Sequence, residues 1–288
     1  MTTIKAFITR HPVLTYYVLT FAISWGGLLW VIGGLGAIPA TAEETTNLLP
    51  AVYFITIAGP TFAGILLTSF VDGMAGLLEL GSRLLKWRVG ARWYAVVLLT
   101  APLLVMAPLF ALSLVSSEFV PGILTTSVQA SLLRIGFAAG LGLAIGFFEE
   151  LGWTGFTVPR LMQRYSIFTT GLIMGLLWGA WHFLSNLWGK EPTGELSLAI
   201  VMPVLLFSFL PPYRVLMVWV YDRTGSLLVA MLMHASLVAS LVISTPQGIA
   251  GVPFVTWYIV CATVLWVVVA AVAVANRGQL ESRISRTR

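Results

Sequence analysis

The chain has 288 residues, of which 58% are hydrophobic and only 9% charged, with a mean hydropathy of +0.94. A soluble domain carries roughly 25% charged residues, so a water-soluble enzyme, a disordered chain and a nucleic-acid-binding module are excluded, the last despite a net charge of +5. An all-α, polytopic membrane helix bundle remains, one integral domain over residues 1–288 in contact with lipid and with no nucleic-acid partner. The single cysteine, Cys261, rules out an internal disulfide or a cysteine metal site.

A bilayer-crossing helix needs about 20 mostly apolar residues. In chain order, eight runs qualify: 13–38, 48–71, 93–115, 131–152, 169–188, 197–221, 226–244 and 254–275. The first is too long for a signal-peptide apolar region and lacks a small-residue cleavage site, so it counts as a span. Its Gly26-Gly27 and Gly33-Gly34-x-Gly36 predict close helix packing. Between the second and third spans, 76–86 reads as an amphipathic interfacial helix with Leu77, Leu78, Leu84 and Leu85 on one side. In the sixth, Pro211-Pro212 must kink or break the helix. Basic residues gather in alternate loops: Lys5 and Arg10, then Arg83, Lys86, Arg88 and Arg92, then Arg160 and Arg164, then Arg223, then Arg277, Arg283, Arg286 and Arg288, while the intervening loops carry only Lys190, beside Glu191 and Glu195. That alternation predicts both termini in the cytoplasm of a multi-pass cell-membrane protein.

Ionisable side chains at membrane depth cost at least ~2.5–3.5 kcal/mol on insertion scales, so they point to chemistry. They are Glu149 and Glu150 in the fourth span, His182 in the fifth, Arg214 in the sixth and His234 in the seventh; Arg134, near a helix end, can snorkel. A shared cavity explains all of them at once. A carboxylate beside an imidazole can take a proton from water, and a second imidazole can donate to a developing oxyanion. Alternatively Glu149, His182 and His234 satisfy the ligand count for zinc. Either route leads to hydrolysis. There is no H-E-x-x-H, because His11, His182 and His234 are the only histidines, and His11, before Pro12, reads as a surface residue. Trp153, Trp178 and Trp181 are predicted to line the pocket, and Trp188 to pack or to sit in an interfacial belt.

These residues resemble the CPBP family, the CAAX proteases and bacteriocin-processing enzymes, also called type II CAAX prenyl endopeptidases. The family pattern is a Glu-Glu pair with Arg four positions on, an aromatic residue four before a His, and a His four before an Asn. Glu149-Glu150, Trp178 with His182, and His234 match it within the motif-bearing segment 146–240. Thr154 stands in place of the Arg and Val238 in place of the Asn. The resemblance implies an intramembrane endopeptidase acting on a peptide or protein at the membrane. It implies that Glu149 with His182 activates water, while His234 polarises the scissile carbonyl. Asn186, one turn after His182, is the candidate for the missing amide donor, and Arg214 for the missing charge beside Glu150. Glu149 and Glu150 are expected near the cytoplasmic end of their helix, in a site open to the cytoplasm, with His182 ~20 Å along its own span. A silent scaffold of the same fold, or a proton-coupled transporter, are the alternatives.

Overall fold

The computed structural model describes residues 3–189, 196–276 and 280. Lys190, Glu191 and Glu195, and the C-terminal Arg277, Arg283, Arg286 and Arg288, lie outside the described residues. Among the described residues the regular structure is helical throughout, and eight helical stretches are long and apolar enough to cross a membrane. The α-helices in chain order are α1 (Thr3–Arg10), α2 (Pro12–Ile32), α3 (Ala42–Leu84), α4 (Ala91–Ser113), α5 (Val128–Gly152), α6 (Val158–Leu161), α7 (Ile167–Gly189), α8 (Leu198–Pro203), α9 (Leu210–Thr224), α10 (Leu227–Ser244) and α11 (Gly251–Ala275); the fourth crossing joins α5 to α6 and the sixth joins α8 to α9.

Local chemistry sets the ends. α2 stops at Gly33, whose φ of +86° closes the helix with its N–H on the Leu29 carbonyl. Gly33, Gly34 and Gly36 have no neighbour within 4 Å, so they make a turn and not the predicted helix contact; Gly27 alone packs closely, against Ile55. α3 starts with a capping box: the Glu44 N–H donates to Thr41 Oγ1 at 3.2 Å, and the Thr41 N–H donates to Glu44 Oε2 at 2.9 Å. Gly73, with φ +66° and ψ −155°, interrupts α3. It separates a spanning part from the interfacial segment, where Leu78 and Leu85 are exposed.

Two crossings are irregular. α5 does not stop at Gly152 but widens into a π turn over Trp153–Thr157 and continues through α6, giving one crossing from Val128 to Leu161. Gly152, Gly155 and Pro159 resemble helix breakers, yet Pro159 occupies the first turn of α6, where its missing N–H is tolerated. The sixth crossing runs from α8 through a second π turn (Val204–Ser208) into α9, and Pro211 and Pro212 fall in the first turn of α9. The double proline therefore breaks the run, as its chemistry requires.

Small residues bring the helices together. A Cβ at Gly142 would lie 2.5 Å from the Ala235 carbonyl oxygen, and one at Gly146 2.6 Å from that of Met231. Gly142, Gly146 and Glu150 recur every four residues, so the stripe that seats α5 on α10 ends at a carboxylate. On α7, Gly171, Gly175 and Gly179 approach Val215, Pro211 and Leu206 in the same way. We predict that Gly146→Ala destabilises the protein by about 1–3 kcal/mol through overpacking. Gly140→Ala, which meets nothing within 4 Å, should leave the detergent-solubilised melting temperature unchanged. Equal melting temperatures for the two variants would refute the packing role.

Contacts between loops and helix ends sort the bundle into two ends. At one, the Ala40 N–H donates to the Trp188 carbonyl at 3.0 Å. Here Arg134 is half-buried, and its Nε and Nη2 donate to the Val242 and Thr245 carbonyls at 2.6 and 2.9 Å. At the other, Arg160 pairs with Asp72, Arg83 Nη1 donates to the Tyr221 hydroxyl at 2.9 Å, and Ser226 Oγ donates to the Lys86 carbonyl at 2.7 Å.

Candidate active site

The site is built where α5, α7, α9 and α10 meet. Glu150 is fully buried and receives the Arg214 guanidinium, whose Nη1 lies 2.9 Å from Oε1 and 2.8 Å from Oε2. Thr154, one turn on, donates its hydroxyl to Oε2. His234 Nδ1 is 2.8 Å from Oε1. A buried carboxylate needs such compensation. Arg214 thus places a positive charge beside Glu150. Its guanidinium also lies 4.3 Å from the centroid of the Trp178 ring, while its Nε and Nη2 find no hydrogen-bond partner among the described residues.

Glu149 points elsewhere. Its Oε2 accepts the indole N–H groups of Trp178 at 3.0 Å and Trp153 at 3.2 Å. Among the described residues no side chain donates to Oε1. The difference between adjacent acids follows from their turn of about 100° around the helix: one faces the Arg214–His234 cluster, the other a cavity.

That cavity has a volume of about 400 Å³ and is lined by Glu149, Trp178, Trp181, His182, Asn186 and His234, together with Tyr53, Ser185 and Val238. So Glu149 and both imidazoles share one chamber. His234, with Nδ1 engaged by Glu150, keeps Nε2 for other partners; which nitrogen holds the proton depends on the tautomer. The His182 ring packs on Trp181 and Trp178, with centroids 4.6 and 5.5 Å away.

Several expectations change. Glu150 does not line the chamber; it braces His234 from behind. Trp153 also stands behind the wall, holding Glu149. Asn186 lines the chamber, but its amide Nδ2 donates to the His182 carbonyl at 2.9 Å, within its own helix. Trp188 is buried against Leu28, Ile32 and Val52 and so is not an interfacial belt residue. The acids are not at a helix end, because α5 runs on through the π turn. Roughly 18 Å of helix separates Glu149 from Leu161 at 1.5 Å per residue, which removes the apparent depth mismatch with His182. Among the described residues no three His, Cys, Asp or Glu side chains group to hold a metal ion, so Glu149, His182 and His234 share the chamber without forming a three-ligand cluster. Two indole N–H groups already occupy one oxygen of Glu149, and Nδ1 of His234 is spent on Glu150.

One wall escaped the sequence reading. Leu49, Val52, Tyr53, Thr56 and Ile57 of α3 face the chamber at helical spacing. The only hint was two hydroxyls, Tyr53 and Thr56, within an apolar run. Of the three hydroxyls on the walls, Thr56 donates to the Val52 carbonyl and Ser185 to the His182 carbonyl. The Tyr53 hydroxyl makes no hydrogen bond to a described residue.

Comparison with known proteins covers this same part of the chain. Residues 130–240 match the family described as type II CAAX prenyl endopeptidase Rce1-like. The chain is 28% identical over 92 residues to CAAX prenyl protease 2 of Methanococcus maripaludis, covering 30% of this chain and 33% of that protein. The match therefore spans a third of the relative's length. The buried Glu-Glu pair, His182 and His234 lie inside the matched segment, so the similarity to the CAAX protease family covers the residues of the site.

Proposed function

We propose that the chain is an intramembrane endopeptidase that hydrolyses a peptide bond with a water activated by Glu149 and His182. The observation that carries this reading is the meeting of one carboxylate oxygen without a protein donor and two imidazoles in a chamber large enough for a peptide segment. Glu149 Oε1 takes a proton from water, and His182 shares that proton and passes it to the leaving amine. His234 polarises the scissile carbonyl through Nε2, held in register by Glu150. Glu150 and Arg214 are positioning residues and not catalytic ones. The donor set favours a water activated without metal. Metal determination on purified protein and chelator treatment test this, with unchanged cleavage after chelation as the expected result.

The assay that tests the function is cleavage of membrane-presented peptides by the wild type and by His182→Ala. Cleavage by the wild type and its loss in the variant support hydrolysis. Peptide capture by the wild type without cleavage would instead favour the silent scaffold, to which Val238 inclines; uptake into proteoliposomes would favour transport.

The missing Asn leaves the oxyanion one donor short, and Tyr53 supplies it in place of Asn186. Removing one oxyanion donor costs about 10²–10³-fold in rate. Tyr53→Phe is expected to lower kcat by that order and Asn186→Ala to leave it within a few-fold. The reverse ranking would return the role to Asn186.

A further inference from the structure

The chamber has a mouth, and two observations give its side. Its rim residues Leu49, Gly189 and Val242 lie at the end of the bundle joined by the Ala40–Trp188 and Arg134–Val242 contacts. Toward the opposite end it is shut by buried Glu150, Trp153, Phe156 and Tyr213, none of which lines it. Among the described residues that opposite end takes nine of the eleven Lys and Arg side chains; the mouth end takes Arg134, and Arg214 is buried between them. Positive charge is retained on the cytoplasmic side during insertion. The alternation that sets both termini in the cytoplasm therefore turns the mouth outward, against the expectation of a cytoplasmic opening.

Resting on the hydrolytic reading above, we propose that the substrate enters from the extracytoplasmic face. It is a peptide segment with apolar side chains, matching walls formed by Val52, Ile57, Leu141, Ile145 and Leu237, and not a tail presented from the cytoplasm. Charged flanks would be held at the rim, since moving them to chamber depth costs the same insertion penalty that makes Glu149 conspicuous.

The test is sided labelling. Cys261 is buried and is removed as Cys261→Ala. Leu49→Cys and Gly189→Cys then mark the rim, and Gln163→Cys marks the basic end. A membrane-impermeant maleimide is applied to sealed right-side-out and inverted vesicles. The rim cysteines are expected to react in right-side-out vesicles, and Gln163→Cys only in inverted ones. Rim cysteines that react only in inverted vesicles, or only after detergent, would overturn the proposal. Labelling needs no turnover. Peptide cleavage is scored separately on the same vesicles, so absence of cleavage in both orientations counts against hydrolysis while the labelling still decides the side.

Discussion

Glu149→Gln is expected to lower kcat about 10²–10⁴-fold, the usual contribution of a positioned general base, with little change in melting temperature. A glutamine carbonyl can still accept the Trp178 and Trp153 indole N–H groups that Glu149 Oε2 accepts now. What is lost is the basicity of the oxygen facing the chamber. Glu150→Gln is expected to behave differently. It removes the charge between Arg214 and His234 and leaves a buried guanidinium without its counter-ion, so stability falls along with activity. Measuring kcat and thermal unfolding on both variants separates the two acids. A Glu149→Gln enzyme with wild-type kcat would transfer the base role away from this residue.

The second large effect concerns Arg214. Removing one partner of a buried ion pair costs about 3–5 kcal/mol, because the other charge stays buried and uncompensated. Arg214→Met should therefore destabilise the bundle by that order and also release His234, which shares Glu150 Oε1 with the guanidinium. Position 154 offers a rescue. Thr154 already reaches Glu150 from one helical turn away, and the family pattern carries its Arg at this position. Thr154→Arg placed on Arg214→Met is expected to recover a large share of the lost melting temperature and some of the activity. If Arg214→Met melts like the wild type, the ion pair does not hold the site. If the double variant is no better than the single, the two positions do not exchange this charge.

Much of the site was legible because the membrane makes polar residues conspicuous. Glu149, Glu150, His182 and His234 stand out in runs that lipid would otherwise keep apolar, and their four-residue companions, Trp178 above all, share their helix faces. Arg214 was visible as a charge but not as a partner, since sequence alone does not say that α9 restarts at Leu210 and delivers it to Glu150. Tyr53 left only a faint signal, a hydroxyl in an apolar run, because a tyrosine in an apolar helix has the same appearance whether it faces lipid or a chamber. Asn186 lies on the chamber side, as its spacing suggests, but its amide donates to the His182 carbonyl of its own helix, because a side chain near its own backbone can satisfy itself there first.

The amino-acid sequence by itself determined the class of the protein, its eight crossings and the acids and imidazoles worth watching, because hydropathy and the cost of buried charge act residue by residue. Only the tertiary structure decided that Glu149 faces the chamber while Glu150 braces His234, and that the helix carrying both runs on past Gly152. Those outcomes depend on how helices rotate and rise against one another. Rotation and rise are fixed by close contacts between helices distant in sequence, such as Gly146 on Met231 and Gly152 on Pro60.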